Sequence, residues 1–399
     1  MQLKLSKAVS LILLSTSLYA QDYISIQYMH YDKESGETKI DTPTIEFNKD
    51  FGADYTLNIS YTHDSLTGAS PTFYDASSGA SAKIPDSFTY QSDVEYGLID
   101  YKDKRDAFGI NFTTRFKSRD ELNIGYNYSK ESDYKSNEVS LNYLHYLDST
   151  KNRSISIGIS YQKNKISIPC YLGNSECDGI SGASSKVVKK DLNVVNVEVG
   201  YTQILDKTSQ IKGSIFYIYE DGYLSNPYMR VVKDYKTYPK ITQESKPSLR
   251  KSYGATIEYA KAFNKRVSTI LSYRYFHDNW GITSHTLKSK IYYDISDSLT
   301  INGAIRVYHQ SKANFYSSKK DYFTNQKYAS SDRRVSNFTS YDISMGATYK
   351  LNDSISINSA IGYYKQIKYF DSKYINFGIR YNFWCIYTDL KQWQLLASC

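Results

Sequence analysis

Side chains of the types that bind metal ions come together in the segment Tyr273–Thr286, which reads YRYFHDNWGITSHT. Histidine and carboxylate side chains are suitable ligands for transition metals, and the segment contains His277, Asp278 and His285. A second interpretation is that Asp278 shapes a tight turn between two strands. Trp280 would then lie in the aromatic girdle of a membrane interface. We favour the second interpretation and predict that no metal ion is bound.

The same segment contains the residue types of a hydrolytic triad. Ser284, His285 and Asp278 would supply the nucleophile, the base and the orienting acid. Because neighbouring residues of a strand point to opposite faces, Ser284 and His285 cannot act together in one cavity. The sequence also has no G-x-S-x-G elbow, no phosphate-binding loop and no H-E-x-x-H motif. We therefore predict a protein that is not an enzyme and that needs no cofactor.

The sequence contains 4 Cys. Cys170 and Cys177 lie close together in a loop-like stretch, and in an exported chain they could oxidise to a disulfide. Their spacing does not match a C-x-x-C motif, and no second pair completes a metal site. Cys385 and Cys399 lie in the last residues of the chain.

Cationic side chains recur on one face of three consecutive predicted strands. Lys288 and Lys290 alternate with uncharged residues, while Arg274 lies on the strand before and Arg306 on the strand after. Because a charge that faces lipid at the bilayer midplane costs ~2–4 kcal/mol, these side chains should point into a lumen. A pore lined by such cations would favour anions. The alternative is that glutamates on inward faces pair with them and fill the interior: Glu198, Glu220 and Glu258.

The segments that must position these side chains alternate as β-strands do. In Asp54–His63, for example, Tyr55, Leu57, Ile59 and Tyr61 share one face and polar residues share the other. A period of two residues indicates a strand with one apolar and one polar side. About 16 such segments follow one another, most of them near the ~9–11 residues that a tilted transmembrane strand needs.

The connections between the predicted strands alternate in length. Those after even-numbered strands are short, such as Lys117–Asp120, and those after odd-numbered strands are mostly longer. The long predicted loops are Asp64–Lys104, Lys163–Lys190, Asp221–Arg250 and Ser311–Val335. This alternation is typical of short periplasmic turns and long external loops, whereas a soluble β-sandwich gives no reason for it. We predict an all-β fold, a single transmembrane antiparallel β-barrel of about 16 strands.

Residues 1–20 have the pattern of a secretory signal peptide. Lys4 and Lys7 precede the apolar stretch Ala8–Leu18, and Ala20 is a suitable last residue before cleavage. The barrel would then occupy residues 21–383, in the bacterial outer membrane. The 42 Tyr of the chain suit a wall that meets lipid headgroups. The net charge of +8 does not indicate nucleic-acid binding, because no compact basic and aromatic module accompanies it.

The last alternating segment, Lys373–Phe383, reads KYINFGIRYNF and ends in an aromatic residue. Through Gly378, Tyr381 and Phe383 it resembles the C-terminal signal strand of bacterial outer-membrane barrels. The resemblance implies that the barrel assembly machinery reads this strand, which then closes the barrel against the first strand. Residues 384–399 depart from the pattern, and we interpret them as an extension past the natural end.

Truncation after Phe383 is expected to raise the folded, heat-modifiable fraction of the protein in the outer membrane, because the terminal aromatic would then be free for recognition. The measurement is the share of protein that migrates as the folded form without boiling. An unchanged share would show that the extension is tolerated.

Four loop motifs carry a wider resemblance. They are LTGASP with Gly68, Ser70 and Pro71, ESDYKS with Asp133 and Tyr134, GYLSNPY, and WGITSHT. The first motif suggests a turn at the barrel rim or a loop folded into the barrel. In this order the motifs resemble an uncharacterised family of bacterial outer-membrane barrels, a domain of unknown function, over Tyr23–Phe383. The resemblance implies a barrel and an outer-membrane location, and it implies no reaction.

The function predicted from these patterns is a porin-like channel for small polar or anionic solutes, embedded in outer-membrane lipid. The alternative is a non-conducting barrel that serves as a scaffold or binding protein. Genes of the resembled family often lie near those of a flavin-transferring lipoprotein and a thioredoxin-like protein. The resemblance therefore suggests a periplasmic redox or flavin-related partner.

Overall fold

The computed structural model describes residues 22–33, 38–71, 98–169, 187–227, 229–234, 236–238, 240–318, 323–367 and 369–383. The predicted signal peptide, the pair Cys170 and Cys177, and the segment 384–399 lie outside these residues. Within the described ranges, no helix is long and apolar enough to cross a membrane.

Sixteen antiparallel strands form one closed barrel, as the alternation predicts. Two further short strands, β10 and β11, pair with each other outside it. In chain order the strands are β1 (Asp22–Lys33), β2 (Thr38–Phe51), β3 (Tyr55–Pro71), β4 (Leu98–Arg115), β5 (Glu121–Lys130), β6 (Tyr134–Tyr146), β7 (Arg153–Pro169), β8 (Val187–Asp206), β9 (Ser209–Gly222), β10 (Arg230–Lys233), β11 (Lys240–Gln243), β12 (Leu249–Ala262), β13 (Val267–Asp278), β14 (Thr283–Asp294), β15 (Leu299–Gln310), β16 (Phe338–Lys350), β17 (Ile355–Gln366) and β18 (Phe370–Phe383).

The barrel is closed by the last strand. β18 pairs with β1 along its length, from Phe383 opposite Asp22 to Ser372 opposite Lys33. Each other barrel strand pairs with the barrel strands that precede and follow it in the chain. Because β10 and β11 lie outside the barrel, β9 pairs directly with β12. The predicted all-β barrel and its closing strand are therefore confirmed.

The apolar side chains of the barrel wall face outward and the polar ones face inward, which is the reverse of a soluble protein. On β1 the outward Ile24 and Ile26 are 40% and 56% exposed, while the inward Ser25 is 1% exposed. The same exposed aliphatic and aromatic residues recur around the outer wall. An outer wall that is apolar and an interior that is polar are what contact with hydrocarbon requires.

The two ends of the barrel also differ. Connections at one end are short, such as residues 116–120 and 207–208, and we call this the short-turn end. Connections at the other end include residues 72–97, 223–248 and 311–337, and we call it the long-loop end. The predicted alternation of connection lengths is thus present.

The predicted loop Asp64–Lys104 is wrong in its bounds. The ladder between β3 and β4 continues beyond His63 opposite Asp106 to Pro71 opposite Leu98. Gly68, Ser70 and Pro71 therefore lie in a strand rather than in a turn or an inserted loop. Backbone pairing holds these residues in the ladder although their side chains lack an apolar alternation, and a proline is tolerated at a strand end.

Candidate functional site

The predicted cations lie on the interior face of the barrel. Lys288 and Lys290 are half-buried and alternate with the exposed Leu287 and Ile291 of the outer wall. Arg306 lies directly opposite Lys288 on the adjacent strand. Like charges that lie directly opposite each other in a sheet repel and destabilise it. This part of the wall therefore has an excess of positive charge that an anion would offset.

None of these cations is neutralised by a close partner. In the described residues, no carboxylate lies within 4.0 Å of the charged groups of Arg274, Lys288, Lys290 or Arg306. The Arg274 guanidinium instead lies over the ring of Phe216, at 4.2 Å from its centroid. An unpaired charge in a dry interior is strongly unfavourable. These cations therefore require that water reach the interior at this level.

Acidic groups border the cations without forming close pairs with them. Asp342 lies opposite Arg306, and Glu258 lies two strands from Lys288, opposite Ser272. Among the described residues Glu198 and Glu258 form no ion pair within 4.0 Å, although Glu198 interacts electrostatically with Arg274, and Glu258 with Lys288. Neutralisation by these glutamates therefore stays the second interpretation. Glu220 is near a different cation, with its Oε2 3.8 Å from Nη1 of Arg250.

At the long-loop end the described residues of the connections 223–248 and 311–337 form a folded structure, which we call the lid. Its main core surrounds Trp280, whose ring meets that of Phe315 edge-on at 5.1 Å. The indole Nε1 of Trp280 donates a hydrogen bond to the Leu249 carbonyl at 3.1 Å. The buried members of this core are Trp280, Ile282, Ala313, Phe315, Tyr316 and Val335. Loops with such a core hold one defined arrangement.

The lid enters the mouth of the barrel. Leu224 packs both against the Trp280 core and against a second cluster that contains Leu192 and Val194. Leu192 and Val194 are buried on the interior face of β8, in the part of the strand near the long-loop end, whereas the adjacent Asp191 is exposed. One lid residue thus joins the Trp280 core to the interior wall at β8, three strands away from β13 in the barrel.

Backbone hydrogen bonds join the two halves of the lid. Ser245 and Ala329 exchange both of their N–H···O bonds, at 3.0 and 2.9 Å. The N–H of Asp234 donates to the Phe323 carbonyl at 2.9 Å, and Val231, Phe323 and Ala329 form a small buried core. The β10–β11 hairpin is therefore an integral part of the lid.

A buried ion network fastens the halves together. Lys246 Nζ lies 2.8 Å from Oε1 of Glu244 and 2.9 Å from Oδ2 of Asp332. Arg334 donates from Nη2 to the same Asp332 oxygen at 2.6 Å, and Ser330 donates to Glu244 at 2.6 Å. Burial alone would raise the pKa of the Asp332 carboxyl, but Arg334 and Lys246 outweigh it and hold that pKa well below its usual value.

Asp278 shapes the connection between β13 and β14, as predicted. Its carboxylate is fully buried and accepts hydrogen bonds from the backbone N–H groups of Trp280 and Ile282, at 3.0 and 2.9 Å. Arg250 donates two further bonds to it, from Nε at 2.8 Å and from Nη2 at 2.6 Å. Asp278 is therefore a fully bonded structural carboxylate.

The residues considered for metal binding are separated. His277 and His285 lie on the outward face, where their Nδ1 atoms are 2.8 Å from Thr283 Oγ1 and 2.7 Å from Tyr273 Oη. Asp278 points inward, so these residues form no common site. The expectation that Trp280 lies in an interfacial girdle is wrong: its side chain is buried in the lid core, because Leu249 and Phe315 provide its partners.

Asp133 lies at the long-loop rim in an acidic group. Carboxylate oxygens of Asp103, Glu131 and Asp133 all lie within 4.8 Å of one another. Burial and then the two aspartates raise the pKa of Glu131 to about 8. The next residue, Tyr134, packs against the cluster of Ile166 and Leu192.

The predicted assembly residues lie in the closing strand. A Cβ added at Gly378 would lie 2.8 Å from Asn358 Oδ1, so the Asn358 side chain would have to shift to make room for it. Tyr381 is exposed on the outer wall and stacks with Phe383, with ring centroids 6.2 Å apart. Recognition of this strand by the assembly machinery stays a prediction.

The lid network is the part of the site that sequence patterns did not reveal. Lys246 and Asp332 are separated by 86 residues, and neither belongs to an alternating segment. The only local signal is the density of polar residues in both long loops, which does not identify partners.

Several solved bacterial barrels are similar to this chain in fold. CdiB from Acinetobacter baumannii aligns with a TM-score of 0.51 and 10% identity over 91% of this chain and 60% of its own. A bacterial polysaccharide outer membrane secretin aligns with a TM-score of 0.50 and 7% identity over 92% of this chain and 100% of its own. The ferric enterobactin receptor PfeA from Pseudomonas aeruginosa aligns with a TM-score of 0.46 and 8% identity over 87% of this chain and 54% of its own.

The chain therefore spans little more than half the length of PfeA and about three-fifths of CdiB. At these identities the likeness concerns the fold alone. No curated protein matches the chain. The model of a family described as "Protein of unknown function (DUF3570)" matches residues 5–376. That match covers nearly the whole sequence and confirms the resemblance seen in the loop motifs, so the chain belongs to the DUF3570 family of proteins of unknown function.

Proposed function

We propose that this protein is an outer-membrane barrel whose hydrated interior conducts small anions and whose external mouth is gated by the lid. The outer-membrane location is supported by the apolar outer wall and by the similarity in fold to a barrel described as an outer membrane secretin. Short turns then face the periplasm and the long-loop end faces outward.

The observation that carries the proposal is the opposed pair of interior cations. Lys288 and Arg306 lie directly opposite each other, with Lys290 two residues further along the same face. Nothing in the described residues pairs with them within 4.0 Å. A conduction path needs sites that attract an ion and also release it. Cations held in water on a wall meet that condition better than cations locked in ion pairs.

The lid distinguishes this barrel from an open porin. Because the lid packs through Leu224 on both the Trp280 core and the wall near Leu192, we propose that it obstructs the lumen. Solutes would pass only after the lid moves. The protein should therefore conduct in rare openings rather than continuously.

The packed lid also supports a second candidate function, that of a barrel that displays its folded loops without conducting. In that case the barrel would serve as an anchor for a periplasmic redox or flavin-related partner, which we propose from the family resemblance alone. Insertion would depend on the barrel assembly machinery in either case.

Planar bilayer recordings of the folded protein test the first candidate. We expect brief openings whose reversal potential in a KCl gradient has the sign of anion selectivity. The matched control is the same preparation after boiling, which removes the folded barrel. Folded barrels that never conduct, even when the lid is released, would leave only the second candidate.

A further inference from the structure

Two neighbouring hairpins carry the same four residue types on their outward face near the long-loop end. One strand of each hairpin has the pattern Y-x-H, and the strand beside it has the pattern K-x-D. The first cluster consists of Tyr28, His30, Lys39 and Asp41, on β1 and β2. The second consists of Tyr61, His63, Lys104 and Asp106, on β3 and β4. We call them the first and second rim clusters.

The first rim cluster is built around Asp41. Asp41 lies directly opposite His30 in the ladder, and its Oδ1 is 2.7 Å from His30 Nδ1. The Tyr28 hydroxyl donates to the same oxygen at 2.6 Å. The side chains of His30 and Asp41 are 37% and 41% exposed, so the cluster is open to its surroundings.

The second rim cluster repeats this geometry. Asp106 lies directly opposite His63, and its Oδ1 is 2.8 Å from His63 Nδ1. The Tyr61 hydroxyl donates to the same oxygen at 2.7 Å. Tyr143 and His145 meet Oδ2 of Asp120 in the same way at the short-turn end, so the lysine of the K-x-D pattern is what distinguishes the two rim clusters.

In each cluster the aspartate fixes the orientation and the tautomer of the imidazole. An ionised carboxylate can only accept hydrogen bonds, so Nδ1 carries the hydrogen and Nε2 is left without a partner in the cluster. Lys39 and Lys104 are exposed, and each lies directly opposite a polar residue of the outward face, Asp32 for Lys39 and Ser65 for Lys104. In the described part of the chain neither ammonium has a carboxylate within 4.0 Å. Each cluster thus presents one imidazole nitrogen and one ammonium, with the carboxylate already occupied by two donors.

These clusters lie where an anionic lipid headgroup would be. They are on the outer wall, just beyond the exposed apolar residues of the same strands such as Ile26 and Ile59. Tyrosines are the residues that favour the interface between hydrocarbon and headgroups. A lysine ammonium together with an imidazolium N–H group matches a phosphate ester, which has a negative charge and several acceptor oxygens.

We propose that each rim cluster binds the phosphate group of a membrane lipid in the leaflet at the long-loop end. The proposal rests on the membrane location in the proposed function but not on conduction. The lysine attracts the phosphate, and the histidine, oriented by its aspartate, donates a second hydrogen bond from Nε2 in its imidazolium form. Two adjacent hairpins would thereby hold two lipids side by side against the first strands of the barrel.

Native mass spectrometry of the full chain, folded in maltoside micelles, tests this proposal. Maltoside contains no phosphate, so phosphatidic acid can be added as the probe, with diacylglycerol of the same acyl chains as the matched ligand. We expect one tightly retained phosphatidic acid per cluster and no comparable retention of diacylglycerol. Replacing both pairs (H30Q/K39Q and H63Q/K104Q) should weaken retention by about tenfold or more.

Control variants and competition decide the outcome. H277Q/H309Q changes two outward histidines whose Nδ1 atoms contact threonines instead of aspartates, and it should retain the lipid as the unchanged protein does. Each single-cluster variant should lose one lipid, which keeps the test valid if the quadruple variant does not fold. Equal retention in all variants, equal retention of diacylglycerol, or full displacement by millimolar inorganic phosphate would each overturn the proposal. The mass spectrometry experiment does not depend on conductance, so a barrel that fails to conduct could still bind the lipids.

Discussion

Replacing Lys288, Lys290 and Arg306 with glutamate is expected to reverse the ion preference of the barrel from anions to cations. These residues form the opposed cationic patch of the interior face. Because the charges lack close partners and would face water in the proposed path, each one would act directly on an ion that passes. The measurement is the reversal potential of single barrels in a KCl gradient. We expect the permeability ratio of anion to cation to change by several-fold and to cross unity.

Substitutions on the lumen side of a barrel alter selectivity more than they alter insertion, so the variant should fold. Heat-modifiable migration checks this before recording. A matched control changes the same number of charges in the short turns, with Lys117, Lys207 and Lys265 replaced by glutamate. If both variants shift the reversal potential equally, the effect comes from overall charge. An unchanged reversal potential in the interior variant would show that the patch does not line the path.

Replacing Asp332 with alanine is expected to release the lid and to raise the open probability of the barrel. The substitution leaves Lys246 and Arg334 buried without the carboxylate that they share. Removing one partner of a buried ion pair typically costs about 3–5 kcal/mol. That cost falls on the lid alone, because the network contains no barrel strand. We expect many more openings in bilayer recordings and faster cleavage of residues 223–248 by added protease.

Two controls separate release of the lid from general damage. Asp148→Ala removes a carboxylate that accepts hydrogen bonds at the short-turn end, and it should leave the open probability unchanged. Mild acid is the second control. Because the folded-state pKa of Asp332 is lowered, its stabilising contribution is present above the unfolded-state pKa and is lost only as pH falls through the lowered value. The lid should therefore stay closed between pH 7 and pH 5. Opening over that range would contradict the assigned role of the network.

The barrel itself follows from local patterns. The alternation of Ile375, Phe377 and Ile379 with polar residues marks β18 as a strand with one outward face, and the structure pairs it with β1. Strand number and facing could be read in this way because a strand with lipid on one side and water on the other repeats every two residues. The bounds of β3 and β4 were misjudged, since pairing extends into Ser, Gly and Asp residues that show no such repeat.

The inward direction of Lys288 and Arg306 could also be derived from the cost of charge in lipid. Their position directly opposite each other could not, because the register of β14 against β15 depends on how the whole sheet closes. For the rim clusters, too, the sequence reveals the residue types but not which of them meet. Y-x-H and K-x-D are visible in the sequence, but only pairing between strands places His30 on Asp41 and His63 on Asp106.

The lid was decided by tertiary structure alone. Trp280 was expected at a lipid interface, yet it is buried because Leu249 and Phe315, from other parts of the chain, surround it. The contact between Lys246 and Asp332 joins two loops that have no period and no apolar face. Local alternation therefore determines the barrel wall, because lipid on one side and water on the other require apolar and polar side chains in turn along each strand. Whether that wall encloses an open or a covered lumen depends on contacts between distant loops, which no local repeat encodes.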